Sequence, residues 1–121
     1  MLIAFWIVAG LTALAFFAAG AMKIARPKEA LVASGMAWAE DFSQPVVRLI
    51  GAAEVLGALG IVLPAITGVA PILSPIAAAC LAVLMVGASV VHIRRQEPPI
   101  SAALFALAVA TAVLGFLVLL G

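Results

Sequence analysis

The sequence predicts an all-α membrane protein, a bundle of four transmembrane helices with a short interfacial segment between the first and the second. Three observations predict it. The chain is 68% hydrophobic and 9% charged, with a mean hydropathy of +1.40, far from the roughly 25% charged residues of a soluble domain. Four apolar stretches, at roughly 2–22, 46–66, 72–93 and 100–120, each have about the 20 residues that a helix needs to cross the hydrocarbon layer. The charges gather in two of the connections and at the ends of the spans. Backbone groups in lipid must bond within their own segment, and each stretch is too long for a barrel strand of about 9–11 residues, which leaves helices. Residues 1–121 form one domain with no internal repeat, and the abundant alanine and glycine are membrane-helix residues rather than low complexity.

The first stretch, "MLIAFWIVAGLTALAFFAAGAM", lacks a basic leader and exceeds the about 7–15 residues of a signal-peptide core, so it reads as a span of the mature protein. Phe5 and Trp6, with Trp38 further on, read as interfacial belt residues. "RP" at 26–27 ends this span. The connection "KEALVASGMAWAEDF" mixes Leu31, Val32, Met36, Trp38 and Phe42 with charged residues, and is expected to lie along the interface as a short helix or wrapped segment. Pro45 opens the second span. Pro64, followed by Thr67 and Gly68, closes it or starts a kink. Ser74-Pro75 reads as an N-cap and a first-turn proline for the third span, and Pro98-Pro99 precedes the fourth.

All six Lys and Arg residues, Lys23, Arg26, Lys28, Arg48, Arg94 and Arg95, lie in or beside the first and third connections. The second connection, "PAITGVAP", and both chain ends carry none. Cationic loops stay on the cytoplasmic side. The expected topology in the cell membrane therefore has the first and third loops in the cytoplasm, with both termini and the second loop outside. The net charge of +1, with no basic stripe, excludes nucleic acid as a partner. A single cysteine, Cys80, forms no internal disulfide and no zinc or dithiol centre, and reads as a small packing residue. No metal site is expected. There is no GxSxG and no phosphate loop, and His and Cys are too few for haem pairs or iron–sulfur ligation.

One carboxylate interrupts the second span. In "RLIGAAEVLGALGIVLP", residues 48–64, a wheel at 100° per residue gathers Gly51, Ala53, Glu54, Gly57, Ala58 and Gly60 on one half, broken by Ile50 and Ile61. Helices in lipid approach through small residues, so this half is expected to face the bundle and to carry Glu54 inward. An ionisable group held about 9–15 Å along the helix from the interface needs a partner, a proton or a wet cavity, and by default marks a site. Lys23, Arg48 and His92 fall on the same membrane side and are candidates to surround it. Arg48 is about 120° round the helix from Glu54, a poor partner within the helix. Lys23 reaches inward if the first helix packs on the glycine face. His92 has Ser89 one turn before it as another hydrogen-bond partner. Each cation also has an ordinary role as an interfacial anchor; for Glu54 the site reading leads, and the alternative is a structural hydrogen bond or ion pair that holds the bundle.

"AAGAMKIARP", "RLIGAAEVLGALGIVLP" and "LMVGASVVHIRRQEPP" together resemble the DoxX-like family of small four-helix membrane proteins. The resemblance rests on Lys23 after the first helix, on the R-x-x-G-x-x-E arrangement of Arg48, Gly51 and Glu54, and on His92 followed by Arg94 and Arg95, and it covers nearly the whole chain. The wider family is named for a subunit of a quinol oxidase or thiosulfate:quinone oxidoreductase. The resemblance implies a redox-associated accessory subunit with a membrane oxidoreductase partner and a quinone or other lipophilic ligand, with no cofactor bound covalently. On this expectation Lys23, Arg48, Gly51, Glu54 and His92 bind the ligand, and Glu54 with His92 handles protons. The alternatives are a scaffold or assembly factor, and a small acid/base enzyme acting on a lipophilic substrate. Self-association through the Gly/Ala faces stays open.

Overall fold

The computed structural model describes residues 2–33, 36–96 and 101–120. Four long helices, α1 (Leu2–Ala25), α3 (Gln44–Thr67), α4 (Leu73–Arg94) and α5 (Ser101–Leu120), are long and apolar enough to cross a membrane. Between the first two lie a short helix, α2 (Lys28–Ala33), and a 3₁₀ turn (Ala37–Asp41). The four-helix membrane fold and its short connecting segment are as the sequence predicts. The spans differ from the expected bounds by a few residues at their ends. Pro98 and Pro99 lie outside the described residues.

The long helices form a ring in which α1 packs on α3 and α5, and α4 packs on α3 and α5. Small residues line its inside: Ala9 and Ala13 of α1, Ala58 of α3, Ala78 and Ala82 of α4, and Ala108 and Ala112 of α5 are buried. Lipid tails give helices no hydrophobic reason to associate, so close van der Waals contact between small faces must hold them. The large residues do the opposite. Ile3, Ile7, Leu14, Leu49, Leu56, Val83 and Ile93 are exposed, where lipid is the solvent that suits them. Phe16 and Ile61 fill the centre.

Hydroxyls tie the helices where side chains are small. Thr12 of α1 and Thr111 of α5 share a hydrogen bond of 2.9 Å, and Thr111 also lies 2.9 Å from the Leu107 carbonyl. Ser89 of α4 bonds Ser101 of α5 at 2.9 Å, so Ser89 is engaged across the bundle. At the opposite end the Ser74 hydroxyl donates to the Ile61 carbonyl at 2.6 Å.

Several local expectations need correction. Pro64 sits inside α3 rather than at its end. Gly68 closes the helix, in a left-handed conformation with φ 73° that glycine adopts without strain, and its N–H donates to the Pro64 carbonyl. Ser74 is not an N-cap: α4 starts at Leu73 after Ile72, and Ser74 is buried in the first turn against α3. Its hydroxyl has an interhelical acceptor instead of the helix's own N–H groups. On α3 the buried stripe is Val47, Gly51, Glu54, Ala58 and Ile61. Ile61 faces in with the rest of its half, but Ala53 of the same half faces out, because a 4–3–4–3 residue spacing selects a narrower stripe than half a wheel. Phe5 belongs to the core, with Trp6 half-buried against it at 5.5 Å between rings. Cys80 is exposed rather than packed, on an apolar groove of about 480 Å³ between α3 and α4.

Candidate functional site

The site begins with a backbone contact. A Cβ added to Gly20 of α1 would lie 2.5 Å from the Gly51 carbonyl oxygen of α3, and one added to Gly51 would lie 2.7 Å from the Gly20 carbonyl oxygen. The two helices therefore touch main chain to main chain, as small residues in membrane helices allow. Lys23 is one turn beyond Gly20, and Glu54 is one turn beyond Gly51. Helical side chains lean toward their own N-terminus. Because α1 and α3 are consecutive spans running in opposite directions, the lysine leans into the bundle and the glutamate leans toward the charged end. They meet.

The Lys23 ammonium donates to Glu54 Oε1. Glu54 is wholly buried and Lys23 is 8% exposed. The other carboxylate oxygen, Oε2, is buried with no hydrogen-bond partner. Such an atom is costly in a low-dielectric interior unless something accepts or supplies a hydrogen bond there. The ammonium has donors to spare beyond the one that Oε1 uses.

Trp38, from the 3₁₀ turn, covers this pair. Its ring centroid lies 5.3 Å from Lys23 Nζ, within the range of a cation–π contact. The same indole meets Phe42 edge-on at 5.8 Å and His92 of α4 at 6.5 Å. His92 Nδ1 is buried without a hydrogen-bond partner. The indole thus neighbours both the Lys23 ammonium and the imidazole. Leu31, Ala39 and Val47 form a small second core beneath it, joined by Met22, Met36 and Phe42.

Two polar links hold the connection in place. Gln44 Oε1, at the start of α3, accepts from the Lys28 backbone N–H at 2.6 Å and so satisfies a donor at the start of α2. Arg95, just after α4, donates to Asp41 at 2.7 Å and lies 3.7 Å from Glu40. Both acidic residues belong to the 3₁₀ turn.

Of the residues singled out from sequence, the structure brings Lys23, Gly51 and Glu54 into direct contact, and His92 joins them through Trp38. Arg48 is exposed and takes no place in the buried cluster, as its position about 120° round the helix from Glu54 requires. Gly20, Trp38 and Gln44 were missed. Gly20 was findable: "GAMK" at 20–23 and "GAAE" at 51–54 place glycine three residues before each charge. Trp38 carried no such signal, since an aromatic near a span end is the ordinary belt pattern.

Chemically, the cluster offers an acceptor oxygen, spare ammonium donors and an imidazole nitrogen beside aromatic walls, all at one end of a membrane bundle. Among the described residues no three metal-ligating side chains come together. Residues 7–117 match the sequence model of the DoxX-like family. No curated protein and no solved structure matches the chain.

Proposed function

The chain belongs to the DoxX-like family, and from that premise we propose that it is a redox-associated accessory subunit of the membrane that binds a quinone-like lipophile at the Lys23–Glu54 pair. One observation carries the reading: a fully buried carboxylate with one oxygen paired and the other unpartnered. A quinone headgroup presents carbonyls to donors and, when reduced, hydroxyls to acceptors. Lys23 supplies the donors and Glu54 Oε2 the acceptor. His92 is the second group able to exchange a proton, and Trp38 and Phe42 give apolar walls for a ring. The bound quinone would supply the redox chemistry, with electrons exchanged through a membrane oxidoreductase partner. The chain's own residues bind, orient and hold or release a proton at Glu54 or His92.

The charged end of the bundle, where α1 and α4 finish, then faces the cytoplasm, because cationic loops remain there. A reporter active only in the cytoplasm, fused after Gly121, is expected to be silent. A strong signal would reverse the orientation.

A second reading is favoured by the closure of the site. Because Glu54 is wholly buried and its pair bridges α1 and α3, the pair also suits a scaffold or assembly factor whose frame it locks. One experiment separates the two. Protein purified in mild detergent is expected to carry a quinone or similar lipophile, identified by mass spectrometry, that Glu54→Gln loses while staying folded. An empty wild-type protein that brings down another polypeptide would replace the ligand reading with the scaffold.

A further inference from the structure

We propose that Met36–Phe42 is a hinged cover, latched by Arg95, and that its opening is the way to the buried Lys23–Glu54 pair from the charged end of the bundle. The proposal rests on the reading of that pair as a ligand site and adds how the site is reached. Glu54 is completely buried, so anything that engages its unpartnered oxygen must first displace a wall of the surrounding protein.

Two walls resist. Between α1 and α3 the Gly20 and Gly51 backbones are in contact, and neither can yield without the helices separating. Between α3 and α4, Gly57 is packed against the Leu81 side chain. The outer side of that wall is the groove lined by Ala53, Leu56, Cys80 and Val83, which presents hydrocarbon and one thiol, nothing to guide a polar head inward.

The third wall is weaker. The cover's core is a five-residue 3₁₀ turn with no side-chain cap at its start, a length at which helical structure has little stability of its own. Its acidic residues meet Arg95 with side chains 54% and 57% exposed at Asp41 and Glu40. Water and salt therefore reach the latch, and exposed ion pairs of this kind are weak and screened. At the centre of the turn is Trp38, the side chain that lies against both Lys23 and His92. Lifting this one segment uncovers the ammonium and the imidazole together. The lateral groove leads to neither.

The test needs no ligand, so it can fail independently of the quinone reading. Lys23 and Lys28 are the chain's two lysines, and Lys28 serves as an internal reference. In lipid nanodiscs, where both faces meet water, a membrane-impermeant N-hydroxysulfosuccinimide acetate acylates accessible amines, and peptide mass spectrometry gives the Lys23/Lys28 rate ratio. Arg95→Gln is expected to raise that ratio about threefold or more, the scale of losing an exposed ion-pair network from a local opening equilibrium. Wild-type protein in about 1 M salt, where screening acts within about 3 Å, should move the same way, which covers the case of a variant that does not fold. Ala53→Phe, which fills the lateral groove, should leave the ratio unchanged. An unchanged ratio both in folded Arg95→Gln and in high salt would overturn the proposal, as would a ratio that falls with Ala53→Phe.

Discussion

Lys23→Met is expected to destabilise the bundle by about 3–5 kcal/mol, because it strands a buried carboxylate whose partner is gone. Among the described residues Lys23 is the one cation paired with Glu54: Arg48 is exposed on another face of α3, and His92 makes its ring contact with Trp38. The reverse change, Glu54→Gln, should cost less. Lys23 lies near the end of α1 and is 8% exposed, so its long stem can carry the ammonium outward to the interface once the carboxylate is removed. The double variant, Lys23→Met with Glu54→Gln, should recover most of the loss, since neither charge then remains buried. Denaturant unfolding in a fixed detergent would measure all four proteins as one cycle. A Lys23→Met protein as stable as wild type would mean that the pair contributes nothing to the fold. The asymmetry also makes Glu54→Gln a suitable variant for the ligand experiment.

Substitutions at the helix crossing form the second large effect. Gly20→Ala and Gly51→Ala each place a methyl group against a backbone oxygen, at 2.5 and 2.7 Å, and main chain cannot turn aside as a side chain can. Each should cost about 1–3 kcal/mol, the range for overfilling a packed interior, with valine worse than alanine. Gly57→Ala meets the Leu81 side chain at 2.6 Å, whose far end can rotate, so its cost should be smaller. Gly10→Ala and Gly87→Ala meet nothing within 4 Å and should be neutral or slightly stabilising. Thermal unfolding in one detergent would rank the set. A neutral Gly20→Ala would deny the close approach, and with it the route by which Lys23 reaches Glu54.

Much of this arrangement is readable from residue order. The apolar stretches, the prolines near their ends and the clustering of the cations lead to four helices within a few residues of their bounds. Glu54 stands out because a carboxylate in the middle of a span is costly unless something answers it. The condition for its partner is also readable, namely that α1 lie against the glycine side of α3. The fine rotation of each helix is not. Uniformly apolar helices carry little periodic signal, so Ala53, expected to face the bundle, is exposed, and Phe5 lies in the core rather than in a belt.

Covalent order alone settles the membrane fold, the place of Glu54 inside the second span and the presence of cations at one end of the bundle, because hydropathy and the cost of unpaired backbone in lipid are local properties. Which cation answers the carboxylate is decided by the crossing of α1 and α3. Side chains on antiparallel helices lean toward one another only when the backbones are close, and that closeness depends on two glycines 31 residues apart, as are Lys23 and Glu54. Trp38 came to cover the pair in the same way. Its place depends on the Gln44 and Arg95 links that fold the connection back over the bundle, contacts between distant residues that no local pattern encodes.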